Sequence, residues 1–495
     1  MQVEVIAKPA ASADVTVVFA GEGKKLLGLG TPLGKAVQKA MAAPSFAAKR
    51  GEILDVLGAA DARRVVVVGV GNPKALSALR ARKLGGKIAA HLLQVREPRA
   101  QVLGGGIGKL EDAVFLGNIA LGARLRSYRF GKYVTQAKPG SEPAEIASLS
   151  LVTSQRAAVQ KILADAEALA AGICFARDQV NEPPSTLWPD VFAKRLAELK
   201  KHGIAVEVHD EGALRKMGAG GILAVAQGSQ HPPRLVVLRW NGLGKSGGGK
   251  QKGGPIALVG KGVCFDSGGL SLKRTAQMQT MKGDMGGAAA VAGAILAAAL
   301  RKAKVDVVGV MALVENMPSG SSFRPGDIVK TLAGKTMEIV DTDAEGRVTL
   351  VDSLYYAATR FNPSCILDAA TLTYAVSAAL GPVYGGLFAN DEALAREALA
   401  AGEAAGEELW RLPVNEHYVK NLKSKIADYR QCAPDDVSAD AAHAAALMGE
   451  FVSGKPWAHL DIANKEFAPR DSAICPEGAT GYGVALFDAF LRQRE

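Results

Sequence analysis

Two short polar clusters, far apart in the chain, constrain this sequence more than any other feature. The first reads V-G-K-G-V-C-F-D-S-G-G at 259–269, continues through S-L-K at 271–273, and ends in M-K-G-D-M-G-G at 281–287. The second is D-T-D-A-E-G-R at 341–347. A fold that joins them gathers the carboxylates of Asp266, Asp284, Asp343 and Glu345 with the cations Lys261, Lys273 and Arg347. Carboxylates crowded into one pocket raise each other's pKa unless positive charge sits among them. Two divalent metal ions meet that requirement, and a metal pair is a hydrolytic centre. Open α/β sheets collect such residues at their strand ends.

The residue types sharpen this reading. Asp266 follows a strand and precedes S-G-G, whose glycines let the backbone come close. Asp284 precedes Gly286 and Gly287 at the mouth of an Ala-rich helix, whose N-terminus favours negative charge. Asp343 and Glu345, two apart, are expected on an extended turn after a strand at 336–341, both aimed into one cavity. Lys261, buried beside two dications, is expected to lose its proton and bind metal as a neutral amine. Lys273 and Arg347 remain as cations for developing oxyanions. Neither cluster contains His, which fits hard oxygen ligation, and H-E-x-x-H does not occur.

Blander explanations exist for each piece. A lone D-x-D-x-E-G is most often a turn, Arg347 alone a surface ion-pair partner, and Lys273 alone a solvated lysine. Asp341, Asp343, Glu345, Gly346 and Asp352 also fall near the pattern of a calcium-binding loop. That pattern fails because its fifth position needs Asp or Asn, its last needs Glu, and M-E-I-V before it reads as strand rather than helix. The G-K-S near 245 is not a phosphate-binding loop, since its first Gly position falls on Arg239. The conjunction of the clusters carries the metal reading.

A chain of 495 residues exceeds one ordinary core. Residues 1–150 alternate β-branched runs at 15–20 and 64–70 with a helical stretch at 74–93, an α/β domain. Turn residues K-P-G-S-E-P at 138–143 suggest its edge, and 151–177 reads as a connecting helix. From 178 to 495 a second α/β domain is expected, with strands at 204–208, 222–226, 234–240, 255–260, 305–315 and 336–341. The Gly/Ala-rich run 286–300 reads as a buried helix rather than a membrane span. The loop 242–254 is flexible and exposed by composition. The N-terminus lacks a signal-peptide layout, and five scattered cysteines indicate a reducing compartment, so the cytoplasm is expected. Cys264 and Cys432 read as small buried residues.

The net charge of +10 is unevenly placed: residues 1–150 carry 22 Lys and Arg against 11 Asp and Glu, the other 345 residues 37 against 38. A basic N-terminal third can contact nucleic acid or another polyanion. No nucleic-acid motif accompanies it, and a solvated or subunit-packing face is the simpler reading.

These blocks resemble the successive signatures of the cytosolic (leucyl) aminopeptidases, the M17 metallopeptidases. The likeness continues in R-D-Q-V-N-E-P-P at 177–184, G-S-Q-H-P-P-R-L-V-V-L at 228–238, D-A-A-T-L-T at 368–373, W-A-H-L-D-I-A at 457–463 and G-A-T-G-Y-G-V at 478–484. It covers essentially all of 175–495 and is looser before that, best at L-G-A-R-L-R-S-Y-R-F, 121–130. The resemblance implies a macro-domain-like N-terminal α/β domain and a larger C-terminal catalytic α/β domain with a mixed central sheet. It implies an aminopeptidase with two divalent ions, zinc or manganese. Lys261, Asp266, Asp284 and Glu345 would hold one ion, and Asp266, Asp343 and Glu345 the other. Lys273 would stabilise the tetrahedral oxyanion, and Arg347 would anchor a bicarbonate acting as general base. Met281, Thr371 and Tyr374 would line the pocket for the substrate's first side chain. The family is hexameric, and a homohexamer acting on peptides, without a membrane, is implied. Nucleic-acid regulation through the basic domain, alone or added to peptidase activity, is the alternative.

Three departures stand out. Asp341 replaces the family's usual Asn, adding a negative charge near the metals. Tyr374 replaces a usual Gly and is expected to narrow the pocket, which puts a leucine preference in question. R-Q-C-A-P-D-D-V-S-A-D-A-A at 430–442 replaces a Gly-rich stretch.

Overall fold

The computed structural model describes residues 1–495 except 11–12, 29–33, 60–61, 137–143 and 245–252. The expected domain edge at 138–143 and most of the expected flexible loop at 242–254 lie outside the described residues. The chain divides into two compact units, Met1–Ala170 with Ala468–Gly478, and Ala171–Phe467 with Ala479–Glu495. The division falls inside the helix Arg156–Asn181, which occupies the segment read as a connector. Residue 150 lies within a strand of the first unit, so that unit's sheet continues past the expected edge.

The first unit contributes β1 (Gln2–Ile6), β2 (Val15–Gly21), β3 (Lys25–Leu27), β4 (Ile53–Ala59), β5 (Ala62–Gly71), β6 (Arg99–Leu103) and β7 (Ser148–Val152). They form one sheet in the order β1-β7-β6-β2-β5-β4, with β3 paired to β2. The two β-branched runs read from the sequence are β2 and β5, and the helical stretch is Ala78–Val95. Alternate side chains of β2 and β5 enter opposite faces: Val17, Phe19, Val66 and Val68 pack against the helices Ala78–Val95 and Asp112–Arg126. Val18, Val65 and Val67 enter the other core. Period-two alternation with both faces buried is what a layered α/β sheet requires.

The second unit contributes β8 (Ala205–His209), β9 (Arg234–Asn241), β10 (Ile256–Asp266) and β11 (Asp306–Asn316). There follow β12 (Ile328–Lys330), β13 (Thr336–Glu338), β14 (Cys365–Ala370), β15 (Gly385–Ala389), β16 (Leu409–Arg411), β17 (Tyr429–Arg430) and β18 (Trp457–Asp461). The main sheet runs β16-β15-β18-β14-β10-β11-β9-β8, and β12, β13 and β17 form a small separate sheet. At the centre β18, β14, β10 and β11 are parallel, while β9 and β8 turn antiparallel at one edge and β15 is antiparallel to β18. The sheet is therefore mixed, as expected.

One expected strand is a helix. Residues 222–226 lie in the helix Gly220–Ala226, where the short apolar run I-L-A-V-A carried no periodicity to tell the two apart. The buried carboxylate of Asp352 decides it, accepting a hydrogen bond from the Ile222 N–H at 3.1 Å near that helix's start. The strand expected at 336–341 stops at Glu338. The run 286–300 is the helix Gly286–Leu300, with every residue to Ala299 buried. The helical stretch 275–300 is apolar and long enough to cross a membrane by composition, yet 94% of its most apolar 18-residue window is buried, as in a core helix.

Candidate metal centre

Three parallel strands end at one place and deliver most of the site. β10 carries Lys261 in its middle and Asp266 at its end. Its pairing with β11 shifts by one residue between Val263 and Phe265, and this bulge sets Asp266 opposite Asn316. Asn316 Nδ2 then donates to Asp266 Oδ1 at 2.8 Å and to the Thr342 carbonyl at 2.8 Å, tying the two sequence clusters together. Beyond Asp266 the chain turns sharply through Gly268 at φ +86°, a left-handed conformation that favours glycine, and the Gly268 N–H returns to Asp266 Oδ1 at 2.8 Å.

The second cluster is not an extended turn. Thr342–Ala344 form a single 3-10 turn, and Glu345 opens the helix Glu345–Phe361. Asp341 caps that turn, its Oδ1 accepting the Asp343 N–H at 2.9 Å. This is a local role that Asp and Asn side chains both perform. Helical curvature, not strand alternation, turns Asp343 and Glu345 toward the same point. Their carboxylates and that of Asp266 offer oxygens within 4.8 Å of one another, a grouping suited to a metal ion.

Lys261 is 3% exposed and lies 2.8 Å from Asp284 Oδ1 and 2.9 Å from Glu345 Oε1. Its Nζ also donates to the Thr371 carbonyl at 3.0 Å. Burial alone would lower its pKa, but Asp284, Glu345 and Asp266 outweigh burial and hold it protonated. The neutral amine expected from the sequence thus depends on a cation that displaces its proton. Lys273, mostly buried, bridges Asp266 Oδ2 at 2.9 Å and Asp343 Oδ1 at 2.5 Å, and the same balance holds its proton.

The carboxylates respond in the opposite sense. Burial, then repulsion from Asp266, pushes Asp343 up to about 7. Burial raises Asp284 and Glu345 as well, against the pull of Lys261. Asp284 Oδ2 and both Glu345 oxygens are buried without a hydrogen bond, although Glu345 Oε1 stands within ion-pair range of Lys261 off the bonding direction. Buried carboxylate oxygens lacking donors cost free energy. Hard divalent cations ligated by oxygen satisfy them, so the donor set fits two such ions.

Thr371 follows β14, and its hydroxyl donates to Asp284 Oδ1 at 2.7 Å. Met281 lies in a 3-10 turn, partly buried. Tyr374 opens the helix Tyr374–Leu380 and is 82% exposed, so in the isolated chain it faces solvent rather than narrowing an enclosed pocket.

Several supporting residues carried no role in the sequence reading. Gln431 Oε1 accepts from the Val340 and Asp341 N–H groups at 3.0 and 3.1 Å, while its Nε2 donates to the Ala344 carbonyl at 2.8 Å. It thereby clamps the whole D-T-D-A-E turn. Asp461 accepts from the Leu372 N–H at 3.2 Å and the Thr373 hydroxyl at 2.7 Å, fixing the loop that presents Thr371. Asp440 pairs with Arg347 at 2.6 Å. The block W-A-H-L-D-I-A was a usable signal for Asp461; Gln431 and Asp440 lie in the divergent stretch 430–442, where no motif pointed to them.

A mixed α/β sheet ending in clustered carboxylates and two buried lysines fits a metal-dependent hydrolase. Comparison with known proteins narrows this. Residues 174–487 match the catalytic-domain model of the cytosol aminopeptidase family, and residues 17–137 match that family's N-terminal domain. A probable cytosol aminopeptidase of Rhodopseudomonas palustris (strain BisA53) is 42% identical, over 97% of this chain and 94% of its own length. One from Afipia carboxidovorans is 43% identical, over 93% and 91%. Among solved structures, the bottromycin maturation enzyme BotP in complex with Mn superposes with a TM-score of 0.84 at 35% identity, covering 97% of this chain and 99% of that one. The chain belongs to the cytosol aminopeptidase family, and is a hydrolase with metal-dependent aminopeptidase activity.

Proposed function

We propose that this chain releases single residues from the N-terminus of peptides, using two divalent ions. Lys261, Asp266, Asp284 and Glu345 would hold one ion, and Asp266, Asp343 and Glu345 the other, with Asp266 and Glu345 shared. The observation that carries this is the set of buried carboxylate oxygens without donors around Asp284 and Glu345. When bound, such a pair supplies Lewis acidity and lowers the pKa of a water. Manganese and zinc both suit the site, and the likeness to a structure described with Mn supports manganese.

The chain's own groups do the rest. Lys273 Nζ, held at the edge of the carboxylate cluster, is the donor for the oxyanion that develops on the scissile carbonyl. Asn316 and Thr371 each hold one oxygen of Asp266 and Asp284, leaving the second oxygen of each directed to the centre. Met281 and Thr371 contact the first side chain of the peptide, while Tyr374, exposed in this chain, reaches it only from the solvent side. Assembly as a homohexamer and a cytoplasmic location follow from the same family reading.

The test is hydrolysis of Leu-, Met-, Ala-, Gly- and Phe-capped dipeptides, with N-acetylated versions of each alongside. Cleavage of the free but not the blocked peptides supports the reading. Equal cleavage of blocked peptides, or none of either by metal-loaded protein, refutes it.

A further inference from the structure

We infer that this chain supplies its own anion to Arg347, the Asp440 carboxylate, and works without a bicarbonate taken up from solution. The inference rests on the aminopeptidase reading above. Arg347 sits in the first turn of the helix Glu345–Phe361, fully buried. Its Nη2 donates to Asp440 Oδ1 at 2.6 Å. Its Nη1 donates to the Gln431 carbonyl at 3.3 Å and lies 3.6 Å from Cys432 Sγ. Only Nε lacks a partner among the described residues.

A small oxyanion binds a guanidinium well by spanning two adjacent N–H groups. Here Nη2 already donates to the Asp440 carboxylate and Nη1 to the Gln431 carbonyl, so an incoming oxyanion would have to share Nη2 with Asp440. A second anion there would also share one cation with the Asp440 carboxylate, and like charges sharing a site repel. The anion seat of Arg347 is therefore already taken.

Asp440 is placed for this task. It is the first residue of the helix Asp440–Gly449, where the helix's partial positive charge favours an acidic side chain. A half-exposed carboxylate, 41% accessible, thus rests on a guanidinium that is 3% accessible. All three groups that engage Arg347 come from 430–442, the stretch that replaces the family's Gly-rich segment. A glycine at 440 would leave Nη2 without this partner and its seat open. Asp440 is a positioning residue: it neutralises Arg347 beside Glu345 and puts a fixed carboxylate where a diffusible one would otherwise bind.

The test uses the full-length, metal-loaded enzyme in carbonate-depleted buffer, with turnover of a leucyl substrate and calorimetric titration with bicarbonate. The wild type should turn over equally with and without bicarbonate, and should show no saturable heat. Asp440→Ala should lose about 10- to 100-fold in kcat, the scale of a lost supporting partner, and regain most of it with added bicarbonate. The same variant should bind bicarbonate saturably in the calorimeter. Asp440→Asn, which keeps the volume but not the charge, should lose activity without rescue. Bicarbonate stimulation or saturable binding in the wild type overturns the inference, as does an Asp440→Ala variant that bicarbonate neither binds nor restores. If no peptide is hydrolysed by any form, the aminopeptidase reading fails, while the calorimetry still decides who occupies Arg347.

Discussion

Replacing Gly346 with alanine should separate the fold of this protein from its chemistry. A Cβ at 346 would stand 2.7 Å from Lys261 Cε, 2.8 Å from its Nζ and 2.9 Å from Leu372 Cδ1. The lysine has little freedom to retreat, since Asp284, Glu345 and the Thr371 carbonyl hold its Nζ within 3.0 Å. Overpacking of this kind costs about 1–3 kcal/mol. Alanine in a helix gains about 1 kcal/mol over glycine. The gain offsets only part of the cost, so Gly346→Ala should lose at most about 2 kcal/mol and still fold. The displaced lysine is a proposed metal ligand, and a shift of about 1 Å in such a group costs on the order of 100-fold in rate. Thermal unfolding, calorimetric Mn²⁺ titration and kcat/KM on a leucyl substrate read the three effects separately. A variant whose kcat/KM stays within about threefold of wild type, a change under 1 kcal/mol, would refute the reasoning about Lys261.

Two further outcomes follow from neighbouring residues. Asn316→Asp removes the donor to Asp266 and sets a carboxylate against it, so Mn²⁺ affinity should fall about 10- to 100-fold in a chelator competition assay. Asp352 is buried, and burial pushes its carboxyl up to about 7 despite hydrogen bonds from the Leu332, Ile222 and Gly221 N–H groups. Because its folded pKa lies above the unfolded value of 3.8, the folded state binds the extra proton. Its contribution is full below pH 3.8 and is lost as pH rises toward 7, with a slope of at most about 1.4 kcal/mol per pH unit. In metal-loaded protein, Asp352→Asn should flatten that part of the stability profile measured by urea unfolding; an unchanged slope would assign it to other groups.

The strands β2, β5, β9, β10 and β11 were legible because they are largely buried β-branched runs, whereas β14, β15 and β18 of the main sheet were not read as strands. Also missed was the helix Gly220–Ala226, whose start is marked by Asp352, a residue more than a hundred positions away. The candidate centre was legible because its proposed ligands sit in two compact motifs, and the structure joins Asp266, Asp343 and Glu345. The curvature that joins them was not: a strand and a 3-10 turn both bring residues two apart near one cavity, and the Asp341 cap together with the distant Gln431 clamp selects the turn. Gln431 and Asp440 were invisible for another reason. They act by long-range contacts from a segment without a motif, and glutamine or aspartate in such a loop looks like any solvated residue. Tyr374 shows the reverse, a conspicuous substitution whose side chain stands in solvent.

The most direct measurement is anomalous diffraction at the manganese edge from crystals of the Mn²⁺-loaded protein. Two peaks, about 3.5–4 Å apart as in two-metal hydrolases, are expected, with Asp266 and Glu345 shared between them and Lys261 Nζ on one. A single peak, or peaks held without Asp284, Asp343 and Lys261, would contradict the account.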